Sequence, residues 1–228
     1  MKPNYTSDRT QYVPLGSAKS SVKLINIGVP QGSILGPLLF LFYINDLPNI
    51  SNALQILLFA DDTILSMPGS NFNTLTSTIN THLDTVKTWT ISNRLTVNVN
   101  KTQVINFSNR CVSWEDDNRI VMDSNHLEYV NSCRYLGIHI DNRLTFSEHI
   151  NFITGKIARS TGILYKLRFF IPPDARLNFY YAFAYPYLSY CVLVWGGTYH
   201  FQLKNLIIQH KKIIQVIAGV LAFSYTSH

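Results

Sequence analysis

The sequence predicts an α+β chain in two parts: strands and helices alternate through residue 141, and residues 142–228 are all helical. Three observations predict it. In residues 55–67, two short apolar runs flank the only charges of the stretch, Asp61 and Asp62, as two buried strands would flank a bend. In residues 73–93, Leu75, Ile79, Leu83, Val86 and Trp89 recur at helical spacing. From His149 onward Ile150, Ile153, Ile157, Leu164 and Leu167 share one helical face, and Leu203, Leu206, Ile213 and Ile217 repeat the arrangement. The composition shift near residue 142 sets the boundary between domains 1–141 and 142–228.

Taken in order, residues 1–26 read as an extended lead-in with strands near 9–13 and 21–26. Residues 28–33, Gly-Val-Pro-Gln-Gly-Ser, form a Gly- and Pro-rich loop, and residues 34–47 are apolar enough for a buried helix starting between Ser33 and Pro37. After the acidic hairpin and the helix over 73–93, residues 95–101 alternate as a half-buried strand that 104–107 continues or returns. Residues 109–128 are polar and acidic, a loop or a peripheral hairpin. Residues 134–141 read as a strand interrupted at Gly137.

Of the 228 residues 46% are hydrophobic and 14% charged, which permits a sizeable core and excludes a disordered chain. Cys111, Cys133 and Cys191 have neither CxxC spacing nor His-rich surroundings, so no zinc site or disulfide framework is expected, and a reducing, intracellular setting follows. Residues 1–23 lack the apolar run of a signal peptide. Residues 24–45 carry too many Gly and Pro breakers for a membrane span. Residues 177–202 spread tyrosines through their middle, whereas a spanning helix gathers them at its ends, so a buried helix or pair of helices is expected there and no membrane partner. The net charge of +6 is unevenly placed: residues 1–150 carry 11 basic and 12 acidic side chains, residues 151–228 carry 8 basic side chains and the single acid Asp174. A polyanion partner accounts for that asymmetry, and so does a merely soluble basic surface. Arg159 and Lys166, and likewise Lys204 and Lys211, stand seven residues apart and so share helical faces away from the apolar ones.

The carboxylates and the glycine loop carry the chemistry. Two carboxylates held together in apolar surroundings raise one another's pKa unless a cation neutralises them, and Mg2+ or Mn2+ is the natural partner of carboxylates and substrate phosphates. An acidic hairpin tip is the alternative. In the loop, Gly32 lets a backbone or nucleotide approach, Gln31 offers an amide that donates and accepts, and the absence of Gly-Lys-Ser/Thr rules out a phosphate loop of the nucleotide-triphosphatase kind. A plain strand-to-helix connection reads the same residues equally well. A hydrolase of the glycosidase kind explains Asp61 and Asp62 only, and adjacent carboxylates are badly placed to flank a bond from opposite sides.

Gly28-Val-Pro-Gln-Gly-Ser-Ile-Leu-Gly-Pro-Leu-Leu-Phe40, Tyr43-Ile-Asn-Asp-Leu47 and Phe59-Ala-Asp-Asp-Thr63 together resemble the reverse transcriptases of non-LTR retrotransposons, the Jockey-like group among them. Asn93-Arg-Leu-Thr-Val-Asn-Val-Asn-Lys-Thr102 is similar to that family's next motif and Tyr135-Leu-Gly-Ile-His-Ile-Asp141 to its primer-gripping segment. Gly162-Ile-Leu-Tyr-Lys-Leu-Arg168 and residues 185–196 resemble the helical region that follows. The resemblance implies the palm of a right-hand polymerase, an antiparallel sheet backed by helices, followed by a helical thumb. It also implies an RNA template, a DNA primer, deoxynucleoside triphosphates, Mg2+ or Mn2+, and a nuclear location. Asp61 is then a ligand of catalytic metal with Asp62 as adjunct, Gln31, Gly32 and Ser33 line the template and nucleotide site, and Lys101 assists the pyrophosphate leaving group. Leu136 and Gly137 belong to the primer grip. Arg159, Lys166, Lys204 and Lys211 meet the backbone of the template–primer duplex.

The same resemblance implies a further catalytic aspartate on a strand upstream of the loop, together with fingers. Asp8, in Ser7-Asp-Arg-Thr-Gln11, matches the segment between motifs and not that aspartate, so the chain is expected to be a fragment lacking the N-terminal polymerase part. Two-metal nucleotidyl transfer needs carboxylates from two strands, and such a fragment is expected to be inactive alone. The competing expectation is a catalytically dead remnant that binds nucleic acid through its basic helices.

Overall fold

A computed structural model describes residues 9–25, 28–108 and 119–220; Asp8, Arg110, Cys111 and the last eight residues lie outside the described residues. The described residues divide into two compact units, the first holding 9–25, 28–99 and 119–126, the second 100–108 and 127–220.

In the first unit β1 (Arg9–Gln11) pairs antiparallel with β4 (Lys23–Ile25), and β2 (Pro14–Leu15) with β3 (Ala18–Lys19). Helix α1 (Leu35–Ile44) follows the glycine loop, then a 3-10 turn (Leu47–Ile50), the hairpin β5 (Gln55–Phe59) and β6 (Asp62–Ser66), and α2 (Phe72–Ser92). Asn71 starts α2 by accepting the Asn73 N–H at 2.9 Å, a side-chain cap on a helix whose Leu83 and Val86 are buried. Two further strands, β8 (Val121–Met122) and β9 (Asn125–His126), form the peripheral hairpin expected there, and β8 packs on α2. Lys87 of α2 pairs with Asp123 of that hairpin at 2.8 Å.

Two elements of this unit are more exposed than the sequence predicts. Helix α1 is apolar all round and so has no single face to bury; only Gly36 and Ile44 are buried, while Leu38, Leu41, Phe42 and Tyr43 are exposed. The β5–β6 ribbon covers one face only: Ile56 and Leu58 are half-buried, whereas Leu57 and Phe59 are 60% and 59% exposed. A two-stranded ribbon has two faces, and the packing of the 3-10 turn on β5 supplies cover for one.

The second unit opens on a 3-10 turn (Val99–Lys101), which straddles its boundary, and β7 (Gln103–Val104), which pairs parallel with β10 (Glu128–Tyr129). The strand predicted over 95–101 does not form: its alternation persists as half-buried Leu95, Val97 and Val99, but among the described residues it has no ladder partner. The strand predicted over 134–141 is instead a hairpin, β11 (Ser132–Tyr135) and β12 (Ile138–Asp141), turning at Leu136-Gly137 with φ of 45° and 85°. Positive φ at both central residues is what a two-residue hairpin with native twist demands, and Gly137 meets it without cost. Then come α3 (Ser147–Leu167), α4 (Pro173–Phe183), α5 (Tyr185–Ser189), α6 (Val192–Trp195) and α7 (His200–Ala218). Of the expected apolar faces, Ile150, Ile153, Ile157 and Leu164 of α3 pack with Leu206 and Ile213 of α7 in one core, whereas Leu167, at the end of α3, is exposed. Ile138 of β12 joins that core, which is why strands preceding residue 142 fall in the helical unit. Residues 177–202 form short helices in place of one or two, broken at Ala184 and at Cys191, and no described helix is long and apolar enough to cross a membrane.

The described strands form six two-stranded ladders, one of them parallel, and not one continuous antiparallel sheet. Strands of two to five residues carry too few ladder bonds to recruit a third partner.

Candidate catalytic hairpin and nucleic-acid surfaces

The acidic pair sits where β5 turns into β6. Phe59 pairs with Asp62, leaving Ala60 and Asp61 as the two turn residues, and Ala60 takes φ 52°. A non-glycine residue in this region carries roughly 1–2 kcal/mol of strain, so the turn is held against local preference. Asp61 and Asp62 are both exposed, and neither carboxylate makes a hydrogen bond or ion pair among the described residues. Asp62 shares a face with Phe59, its partner across the ladder, and Asp61 projects from the turn itself.

These residues fit a hard divalent ion in one respect. Two unengaged carboxylates at a solvent-facing tip suit Mg2+, which keeps several of its waters and takes only one or two protein carboxylates. Among the described residues no group of three or more His, Cys, Asp or Glu side chains gathers to hold a metal, so the pair supplies part of a coordination sphere.

The loop before α1 is built as a turn on a helix start. Pro30 accepts the Ser33 N–H at 3.2 Å, with Gly32 at φ 78° in the position that such a turn reserves for positive φ. Ser33 Oγ then accepts the Gly36 N–H at 3.1 Å. A Cβ on Gly36 would stand 2.9 Å from Ser33 Oγ and 3.3 Å from Val29 Cγ2, so glycine there is what lets the loop fold back on the helix. Ser33 thus has a structural task. Gln31 is exposed, and a Cβ on Gly32 would meet open space, which leaves that side of the turn accessible.

The remaining predicted residues lie in the second unit. Lys101 is exposed at the end of its 3-10 turn. Leu136 and Gly137 are the hairpin turn of β11–β12, and Tyr190, between α5 and α6, holds them: its Oη donates to the Leu136 carbonyl at 2.7 Å and its ring edge lies 3.7 Å from where a Gly137 Cβ would be. Nothing in the sequence announces a bond spanning 54 residues. Arg159 and Lys166 on α3 and Lys204 and Lys211 on α7 are exposed and make no hydrogen bond or ion pair among the described residues. The structure brings Asp61 and Asp62 together in the first unit, and Leu136 and Gly137 together in the second.

Two polar side chains escaped the sequence reading. Asp141 ends β12 and accepts the backbone N–H groups of Arg143, Thr145 and Phe146 at 3.2, 2.9 and 2.5 Å. Burial pushes its carboxyl up, but these bonds outweigh it and hold the carboxyl below the usual range. Its spacing to those residues is a turn signature visible in sequence. His149 is 3% exposed against Phe152 and Trp195, and burial, then the neighbouring His139, pushes its pKa down, so it packs as a neutral ring.

Residues 7–140 match the family described as Reverse transcriptase (RNA-dependent DNA polymerase). The chain is similar to the RNA-directed DNA polymerase from mobile element jockey of Drosophila melanogaster, 28% identical over 227 residues that cover 95% of this chain and 24% of that protein. It is 27% identical to the jockey polymerase of Drosophila funebris over 91% of this chain and 23% of that one. A third relative is the probable RNA-directed DNA polymerase from transposon X-element of Drosophila melanogaster, 25% identical over 95% and 24%. No solved structure matches. The chain spans about a quarter of the length of these curated relatives. With the family match covering more than half of its residues, and these relatives covering nearly all of it, the chain belongs to the reverse transcriptase family, among the Jockey-like polymerases of non-LTR retrotransposons.

Proposed function

We propose that this chain is part of the catalytic domain of an RNA-directed DNA polymerase that copies an RNA template from a DNA primer, using deoxynucleoside triphosphates, in the nucleus. In this reading residues 1–141 are palm and 142–228 a helical thumb. Asp61 is a metal ligand, Asp62 its adjunct, and Gln31, Gly32 and Ser33 line the template and nucleotide site, Ser33 by holding the loop in shape. Lys101 faces the pyrophosphate leaving group, Leu136 and Gly137 hold the primer end, and the four basic residues of α3 and α7 meet the duplex backbone. Asp61, with Asp62 beside it, would hold Mg2+, which would supply positive charge for nucleotidyl transfer. What the chain's own residues contribute is placement: a strained hairpin turn that presents Asp61 to solvent, without a competing partner among the described residues.

The observation that carries the reading is that pair of free carboxylates at the turn, inside the segment that matches the family. A third ligand is absent among the described residues, so the pair alone binds metal weakly and primer extension by this chain alone is not expected. Titration of the full chain with Mn2+, read by the loss of free-ion electron paramagnetic resonance signal, tests the assignment. Weak binding that Asp61→Asn weakens further supports it; tight, stoichiometric binding indifferent to Asp61→Asn refutes it. A second reading, nucleic-acid binding without catalysis, is favoured by the same missing ligand. Primer extension by the chain, abolished by Asp61→Asn, would exclude it.

A further inference from the structure

Helix α3 ends at Leu167, and residues 168–170 turn the chain into α4. The turn is well fixed. Leu167 accepts the N–H groups of Phe170 at 2.8 Å and Ile171 at 3.2 Å, Leu164 before it is fully buried, and Ile171 after it packs on the core. On this fixed turn Phe169 is 80% exposed and Phe170 82%. Each exposed ring forgoes roughly 1.5–3 kcal/mol of burial, so these rings face solvent although the backbone around them is tied down.

Cations accompany them. The Arg168 guanidinium lies 3.4 Å from the centroid of Tyr165 and 4.4 Å from that of Phe169, and its Nη1 donates to the Tyr165 carbonyl at 2.8 Å. Lys166 is exposed beside it, and from residue 150 to the turn there is no acid; the first is Asp174, in the opening turn of α4. A guanidinium stacked on rings keeps further N–H donors for an anion while the rings keep open faces. The complementary partner is flat, polarisable and negatively charged.

We propose that this corner, Tyr165, Lys166, Arg168, Phe169 and Phe170, is a stacking platform for the unpaired bases of a single-stranded nucleic acid. The inference rests on the reading of the second unit as a nucleic-acid surface and adds to it a preference for strandedness: a duplex offers phosphates to Arg159 and Lys166, but only an unpaired strand offers base faces to Phe169 and Phe170. A lipid surface would also accept aromatic rings beside cations. It is disfavoured because the rings sit on a turn and not along a helix, whereas interfacial binding uses a whole apolar helix face, and that of α3 is spent on the core.

The test measures anisotropy of labelled oligouridylate and of a labelled RNA–DNA duplex against the full chain and against the double variant Phe169→Ala with Phe170→Ala, with circular dichroism as the fold control. Base stacking on one ring is worth about 5- to 150-fold in affinity. The variant is therefore expected to lose at least 10-fold for oligouridylate, with duplex affinity within twofold and salt dependence unchanged. In a separate Phe169→Trp variant, oligouridylate should bind normally and quench the added indole emission. Equal affinity of variant and unmodified chain for oligouridylate, or an indole that oligouridylate does not quench, overturns the platform while leaving the duplex-backbone reading intact. Failure of the unmodified chain to bind either nucleic acid overturns both. Binding to anionic phosphatidylserine vesicles that the double variant loses, with no loss toward oligouridylate, assigns the rings to a membrane and also overturns the platform.

Discussion

Replacing Asp141 by Ala should destabilise the second unit far more than an ordinary surface change. Its carboxylate ties down a loop in which Leu144 and Phe146 both take φ 54°, and Phe146 must adopt that conformation to bury its ring at the start of α3. Three backbone donors rely on the one side chain. A hydrogen bond to a charged group contributes about 1.5–3 kcal/mol when well shielded; Asp141 is half-exposed, so water takes over part of each bond, and a total loss of about 2–3 kcal/mol is expected. For a unit of this size that is a fall in Tm on the order of 10 °C. Asp141→Asn, which keeps one acceptor oxygen, should fall between. The pH dependence follows from the direction of the shift. A carboxyl held low in the folded state stabilises it above the unfolded carboxylate pKa, near 3.9, and that contribution is lost as pH falls through the folded value. Urea unfolding followed by circular dichroism at pH 7 and at pH 3 reads both. A loss under about 0.5 kcal/mol at pH 7, the usual size of a surface substitution, or a loss that does not shrink at pH 3, would refute the reasoning.

Two further outcomes are expected. Replacing Arg159 and Lys166 together by Gln should flatten the log–log salt dependence of duplex binding by one to two units, roughly one per lost phosphate contact, without loss of folding, since both side chains are exposed and make no hydrogen bond or ion pair among the described residues; an unchanged slope in anisotropy titrations counts against a backbone surface. Ala60→Gly should relieve the positive φ of the acidic turn and stabilise the first unit by about 1 kcal/mol, and thermal melts showing destabilisation would mean that the turn is not strained.

What was legible in the sequence was local and periodic. The faces of α2, α3 and α7 were readable because a helix repeats its environment every three or four residues, and the core that α3 and α7 share in the second unit is built from those apolar positions. The acidic turn was readable because two charges interrupt an apolar run. The failures share a cause as well. Alternation over 95–101 and uniform hydrophobicity over 34–47 describe what a segment would do if a partner lay alongside, and periodicity carries no information about whether one does. At Leu136-Gly137 the sequence shows a single glycine interrupting a strand, and nothing about leucine signals that it turns as well, with φ 45°.

The site residues divide along the same line. Asp61, Asp62, Gln31 and Gly32 stand out as candidates because their setting is local: exposed positions on tight turns whose geometry is set within a few residues. Ser33 shows the limit of that reasoning, since a hydroxyl that looks wholly available for a nucleotide already spends one lone pair on the Gly36 N–H. Leu136 shows it again, its carbonyl taken by a tyrosine 54 residues away. The turn at Leu136-Gly137 therefore depends for its position on α5 and α6, so a change in those helices reaches the hairpin without touching it. Tyr190→Phe is the smallest such change. It removes the hydroxyl that donates to the Leu136 carbonyl and leaves the ring beside Gly137, so a change in the turn after this substitution reports on the polar anchor and not on the packing of the ring.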